Sequence, residues 1–400
     1  MDKQILGVFG ATGCNNFGDY GIWINDIRTF YNLNPNIKIK LFSYNIETTL
    51  FYIEKNLSDI AGELEIEVVD DITNLSKDKS FWENIWNETY SGKVSSLDSN
   101  FMKNLNSCDK IIFVGGGYLN NNWKYRNLIF MSIINCCKVL NKPVYFLANT
   151  IGPLDDEYRY KISRSLKFVK SIMIRDNSIF SEKVLLSMGY ENIVKGPDDF
   201  MFVSKNNNTQ IYSNNSNYVV IELMLWIRKA KKGVLYTINE IAKFSNYIIE
   251  HENKNIVLIN FYKGDFDTDR FLNILYSSIS NKDKVVIEKD ISNIYRINDL
   301  YQKCDFSLSL RYHPLLIALG NKKPCLGIIT DKDGYYYSKF GGAISNLDLD
   351  IDKYTMHIDD LTYETLLSKY NVINEDFKIN ESKYNQLYNV RINYIKEILK

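Results

Sequence analysis

The stretch DFSLSLRYHPLLIALG, Asp305 to Gly320, decides how the chain is read. DFSLSL is a short strand, PLLIALGN (314–321) is an apolar helix that opens on a proline, and Arg-Tyr-His lies at the corner between them. Proline suits the first helical position, so the sequence predicts His313 as the residue capping that helix. Only three histidines occur in the chain, and this one stands next but one to Arg311. The partial positive charge at a helix start favours anions and disfavours imidazolium. The corner therefore reads as an anion site with a histidine that stays neutral until an anion is bound. The plainer alternative is a histidine that only caps, beside an arginine that pairs with an acid such as Asp305.

Working outward, the same strand–helix alternation fills most of the chain. QILGVFG (4–10), IKIKLFSY (37–44), CDKIIFVGGG (108–117), PVYFLANTIGP (143–153), SIMIRD (171–176) and NIVKGPDD (192–199) read as strands or strands running into turns. Amphipathic segments lie between them, with one stretch, from about 45 to 106, that the pattern leaves unclear. The polar run SKNNNTQIYSNNSN (204–217) buries little and reads as a linker. Beyond it the alternation restarts with YVVIELML, NIVLINFY, KVVIEKD, DFSLSL and PCLGIIT as strands. Strands alternating with helices imply parallel sheets covered on both faces. The predicted architecture is α/β, with two Rossmann-like domains and a cleft between them. The first spans 1–205, the second 216–375, and a helix over 380–400 packs back on the body.

Bulk composition narrows the function classes. The chain has 400 residues, enough for two cores, with 45% hydrophobic and 24% charged residues. Lys+Arg and Asp+Glu balance at 48 each, which removes the electrostatic footprint of a nucleic-acid binder. The six cysteines form no C-x-x-C pair, and no secretory signal precedes them. They read as buried apolar side chains in a reducing cytoplasm. The longest apolar window, NLIFMSIINCCKVL, is too short to span a bilayer. Peripheral attachment to the inner face of a membrane is left open, as is the oligomeric state.

Three further features sit at strand ends. GATGCNNFGDYG lacks both the G-x-G-x-x-G spacing and a Walker lysine, which leaves loop geometry, with Asp19 near a helix cap, or a ligand contact. Gly115, Gly116 and Gly117 follow a buried strand, where missing side chains let a ligand or another backbone come close. Arg175 closes the strand SIMI, and its planar fork suits a carboxylate or phosphate, or a local ion pair with Asp176.

Taken together, CNNFGD, IIFVGGGYL, TIGPLDDEYR, SIMIRDNSIFSEKVLLSMGY, KGPDDFMF and SLSLRYHPLLIALGNKKPCLGIITDKD resemble, in order and spacing, the polysaccharide pyruvyl transferase family. That resemblance implies a GT-B-like fold. It also implies transfer of the enolpyruvyl carbons of phosphoenolpyruvate to a sugar of a cell-envelope or capsular glycan precursor. Arg311 and His313 fall on the family's R-x-H signature and Arg175 on its R-D motif. Both arginines are then donor ligands, with His313 as the acid/base residue and Lys332 as a further donor contact. Asn16, Gly18 and Asp19 match an N-x-G-D turn. With Gly115 to Gly117 and Asn149 they become the substrate-binding side. LANTIGP carries Asn149 and Thr150 where the family commonly has a glutamine-containing turn, and Asp199 stands where it often has proline. These departures bear on the acceptor more than on the donor.

The chemistry implied calls for anion anchors and a proton carrier, and for no metal or cofactor, phosphoenolpyruvate being a co-substrate. The acceptor is a glycan or lipid-linked saccharide. Two rivals share the fold: a nucleotide-sugar glycosyltransferase and a non-catalytic glycan-binding relative.

Overall fold

The computed structural model describes residues 3–95, 97–176, 180–204, 217–331 and 334–400. Most of the polar run expected as a linker lies outside these residues. The chain divides into two compact units. One comprises the chain up to Cys14, Asp19–Asp199 and Leu387–Lys400; the other comprises Asn15–Gly18 and Phe200–Gln386.

The first unit is built on a seven-stranded parallel sheet. Its strands are β1 (Gln4–Phe9), β2 (Ile37–Ser43), β3 (Glu65–Asp70), β4 (Lys110–Phe113), β5 (Val144–Asn149), β6 (Val169–Ile174) and β7 (Ile193–Lys195). They lie in the order β3-β2-β1-β4-β5-β6-β7. An aromatic ladder runs across the sheet. Phe9 stacks on Phe42 at 4.1 Å and on Phe113 at 5.4 Å, and Phe113 stacks on Phe146 at 4.6 Å. Phe9 pairs in register with Phe113, and Phe113 with Phe146. A one-residue slip would turn these rings to the opposite face, so the ladder pins the register.

The stretch that the sequence pattern leaves unclear forms helix Ile46–Leu57, β3, and helices Lys79–Tyr90 and Ser99–Asn106. The strand carries a weak signal because EIEVVD has only one buried residue, Val69. It is the edge strand, so its pattern carries little hydrophobic signal.

The second unit holds a six-stranded parallel sheet of β8 (Tyr218–Glu222), β9 (Asn255–Ile259), β10 (Val285–Glu288), β11 (Phe306–Ser309), β12 (Cys325–Ile329) and β13 (Thr355–His357). The order is β10-β9-β8-β11-β12-β13. Strands β8, β11 and β12 are buried throughout, as parallel strands covered on both faces must be.

Strand order reverses between β1 and β4 in the first sheet and between β8 and β11 in the second. At such a reversal the following loops diverge and leave a crevice outside the carboxyl ends of the strands. The N-x-G-D and G-G-G turns follow β1 and β4 and the R-x-H corner follows β11, whereas Arg175 follows β6, two strands beyond the reversal. Among the described residues, no helix is long and apolar enough to cross a membrane.

Candidate functional site

In the second unit the crevice is organised by a buried carboxylate. Glu222 ends β8, pairs in register with Ser309 of β11, and is fully buried. Its Oε2 accepts the backbone N–H groups of Leu310 at 3.0 Å and Arg311 at 2.8 Å, while Oε1 accepts Arg311 Nη1 at 2.5 Å. Burial pushes the Glu222 carboxyl above its ordinary range, and the Arg311 charge opposes that shift. Arg311 Nη1 also donates to the Leu223 carbonyl at 2.8 Å and Asn260 Oδ1 at 3.2 Å, and Nη2 donates to Asp265 Oδ2 at 3.2 Å. Asp305 is not its partner, lying instead 3.7 Å from Lys254.

The helix begins two residues sooner than its proline suggests. It spans Tyr312–Gly320 with Arg311 as the capping residue in extended conformation, so His313 is the second helical residue and Pro314 the third. The Glu222 carboxylate holds the backbone of Leu310 and Arg311, and the chain turns helical directly afterwards. Proline is accommodated because first-turn amides have no intrahelical partner to lose.

His313 is 8% exposed, with Phe200 set edge-on to its ring at 6.2 Å. A Cβ added to Gly18 would fall 1.7 Å from His313 Nδ1 and 2.2 Å from its Cγ. The imidazole therefore lies directly against the backbone of residue 18. Glycine is required there for space, since its φ is ordinary. The same segment is stitched down on both sides. Gly18 N donates to Asn16 Oδ1 at 3.0 Å, Phe17 N to Phe261 O at 2.8 Å, and Lys263 N to Asn15 O at 3.1 Å. The N-x-G and R-x-H motifs, almost three hundred residues apart in sequence, thus form one construction. Asp19 follows in the first turn of helix Phe17–Leu33, where its Oδ2 accepts from Cys14 Sγ at 3.7 Å.

In the first unit the glycine run lies at the reversal between β1 and β4. Gly116 bridges to Asn149 in parallel register and continues the β4–β5 ladder: its N donates to Ala148 O at 3.2 Å, and its O accepts Thr150 N at 2.9 Å. The carbonyls of Gly115 and Gly117 accept the Tyr118 hydroxyl at 2.7 Å and Asn120 Nδ2 at 2.6 Å. Gly115 and Gly116 are glycines because the neighbours leave no room. A Cβ would meet Asp199 Oδ2 at 2.7 Å in the first case and the Tyr118 ring at 2.1 Å in the second. Asn149 is fully buried, and its Nδ2 donates to the Val114 carbonyl at 3.3 Å.

Arg175, 2% exposed, donates Nε to Thr150 Oγ1 at 2.9 Å and pairs through Nη1 with Asp198. Asp176, the neighbour considered as its partner, instead accepts the Ser181 amide at 2.8 Å and hydroxyl at 2.7 Å. Beside this pair, Arg391 of the C-terminal helix reaches Asp26 Oδ1 at 2.7 Å and Asp199 Oδ1 at 3.1 Å. Asp26, Asp199 and Arg391 are all essentially buried. Asp26 Oδ2 and Asp199 Oδ2 have no hydrogen-bond partner among the described residues. Three acids meet two arginines, and burial drives Asp199 up to about 6 and Asp26 well above the carboxylate range.

The polysaccharide pyruvyl transferase family model matches residues 16–332. The chain belongs to that family. No curated sequence gives a significant match. The fold is similar to that of UDP-GlcNAc 2-epimerase from Methanocaldococcus jannaschii, at 12% identity, with 100% of both chains covered and a TM-score of 0.63. A glycosyltransferase from Rickettsia africae ESF-5 is 14% identical over 100% of this chain and 99% of its own, with a TM-score of 0.54. The UDP-GlcNAc 2-epimerase of Neisseria meningitidis, solved with UDP-GlcNAc, is 12% identical over 99% of each chain, with a TM-score of 0.60. At such identities the likeness carries the fold alone, which is α/β and GT-B-like.

In this pyruvyl transferase family chain, the sequence reading grouped Arg175 with Arg311 and His313 as donor ligands, and Gly18 with the glycine run and Asn149 on the substrate side. The structure instead packs Gly18 against His313 in the second unit, while Arg175 lies in the first unit on Thr150 and Asp198. Lys332 lies outside the described residues. The acids Glu222, Asp265, Asp26 and Asp198, and the cation Arg391, were not anticipated. A signal for Arg391 was present, because Leu387, Arg391, Tyr394, Ile395 and Ile398 share one buried helix face. A cation on an otherwise apolar stripe calls for buried acids.

Proposed function

We propose that the protein transfers pyruvate from phosphoenolpyruvate to a sugar of a cell-envelope or capsular glycan precursor, as a ketal. In this reaction C3 of the donor gains a proton, C2 forms bonds to two sugar oxygens, and the C2–O bond to phosphate breaks. Of the two protons leaving the sugar hydroxyls, one goes to C3 and the other departs with the phosphate. A histidine suits this exchange near neutral pH, and a preorganised cation stabilises the charge developing on the leaving group. His313 takes the first role. Arg311 contributes its Nε–H edge, which has no acceptor among the described residues, while Glu222 and Asp265 hold the rest of the fork.

The observation that carries this reading is the packing of His313 against Gly18, which builds two family motifs into one site at a strand-order reversal. The test supplies phosphoenolpyruvate with a panel of saccharides and lipid-linked saccharides and measures phosphate release, in parallel with nucleotide release from sugar nucleotides. Acceptor-dependent phosphate release that His313→Ala abolishes is the expected result. Nucleotide release without consumption of phosphoenolpyruvate overturns it in favour of a glycosyltransferase.

A further inference from the structure

Both motif arginines are held by carboxylates, Arg311 by Glu222 and Asp265 and Arg175 by Asp198. Arg126 is held otherwise. It lies in the first turn of helix Lys124–Val139, and its guanidinium sits over two aromatic rings, 5.3 Å from the centroid of Trp123 and 5.7 Å from that of Tyr44. Its Nε donates a long bond to the Tyr125 hydroxyl at 3.5 Å, and neither Nη meets an acceptor among the described residues. An aromatic face holds a cation through its quadrupole without cancelling the charge. Two acids, Asp71 and Asp19, act on the guanidinium from beyond salt-bridge distance, and both are engaged elsewhere. Asp71 accepts the Thr73 amide at 2.7 Å and hydroxyl at 3.0 Å, and Asp19 accepts Cys14 Sγ at 3.7 Å.

Its position suits a ligand. Gly10 follows β1, Tyr44 follows β2 and Thr73 follows β3. With Arg126, Ile129 and Phe130 they line a narrow cleft at the carboxyl ends of these strands, beside the reversal between β1 and β4. The cleft has room for a single water-sized group, about 10 Å³. It admits an oxygen of a carboxylate or phosphate and excludes a sugar ring. A ring has its own place beside it, where the Trp123 indole is 46% exposed. The negative face of an indole packs well against the C–H bonds of a sugar. The loop that carries both residues runs on from the Gly115–Gly117 turn and is pinned along its length. Asn120 Nδ2 donates to Gly117 O at 2.6 Å, Asn127 Nδ2 to Asn120 O at 2.9 Å, and Asn121 N to Pro153 O at 2.9 Å. A surface fixed in this way loses little entropy on binding.

We propose that Trp123 and Arg126 bind an acceptor saccharide that carries a carboxylate or phosphate. The sugar ring lies on the exposed indole, and its charged group meets the Nη edge of the guanidinium, whose planar fork matches either oxyanion. This assignment rests on the pyruvate-transfer reading. It deepens that reading by making the acceptor anionic and placing its charge on an arginine that no motif singled out.

The experiment titrates three probes into the full chain by calorimetry: a glucuronate-terminated disaccharide, a disaccharide 1-phosphate, and the neutral disaccharide. The wild type is expected to bind one or both charged probes about ten-fold more tightly than the neutral one, the value of one charge-assisted hydrogen bond. Which of them it prefers separates a uronate from a sugar phosphate as the source of the charge. Arg126→Gln should erase the preference, Arg126→Lys should restore part of it by returning the charge without the fork, and Trp123→Ala should weaken all three probes. Thermal melts matching the wild type tie these losses to contact rather than folding. The site is overturned by a wild type that binds neither charged probe or binds all three alike. It is equally overturned by a preference that survives in Arg126→Gln to within about three-fold, or by Trp123→Ala binding as the wild type does. Charged-probe binding that depends on Arg126, in a protein that releases no phosphate from phosphoenolpyruvate, supports this site and overturns the transfer reading.

Discussion

Replacing Gly18 by alanine tests the central contact directly. The added Cβ would sit 1.7 Å from His313 Nδ1, whereas ordinary contact begins near 3.4 Å, so the ring must withdraw by about 1.7 Å. The Phe200 ring stands beside it at 6.2 Å, and the segment carrying residue 18 is bonded to Phe261 and Lys263, so neither side yields freely. Overpacking of this kind typically destabilises by about 1–3 kcal/mol. Within a helix, alanine would otherwise stabilise by about 0.5–1 kcal/mol relative to glycine.

The two effects separate in a double-mutant cycle. Gly18→Ala should destabilise the wild type, yet leave His313→Ala unchanged or slightly more stable. The helix gain cancels in the cycle, so the coupling between the sites is the overpacking penalty itself, on the order of 1–3 kcal/mol. Urea unfolding of the four proteins measures it. Phosphate release checks the function, because a displaced imidazole should lower turnover well beyond what the stability loss explains. Effects that add to within about 0.5 kcal/mol would refute the claim that the imidazole occupies the space of the missing side chain.

Three more outcomes follow from named groups. Asp199 has a native pKa raised to about 6, from an ordinary value of 3.8, and Asp26 is raised well above that value, both mainly by burial. The native state therefore binds more protons than the unfolded state, and stability from these acids falls as pH rises from about 4 to about 6. Urea midpoints across that range should flatten in Asp199→Asn relative to the wild type, and parallel curves would count against it. Glu222→Gln keeps the size of the side chain but removes the charge that fixes Arg311, so it should destabilise by about 3–5 kcal/mol; a loss below 1 kcal/mol on denaturation would contradict the buried pair. Cys108, Cys136 and Cys304 have thiols pushed up to about 12 by burial, and only Cys14 of the six is partly exposed. Thiol titration of the native protein should find one reactive group, assigned to Cys14 by peptide mapping and absent in Cys14→Ser.

Sequence by itself determined the fold class, the family and the strand-end positions of its motifs. Alternating strands and helices imply parallel sheets, and glycine runs, arginines and a scarce histidine mark strand ends, because those signals are local in the chain. It could not show which acid each cation meets. Arg311 is bound by Glu222, 89 positions away, and not by Asp305. Arg391 is bound by Asp26, 365 positions away. Whether a guanidinium is available to a ligand depends on carboxylates delivered by other strands and helices, and Coulomb energy falls with distance in space rather than along the chain. The same holds for Gly18, where the need for glycine comes from a ring carried by a helix nearly three hundred residues later. The tertiary structure turned two strand-end cations into neutralised arginines, Arg311 held by Glu222 and Asp265 and Arg175 by Asp198.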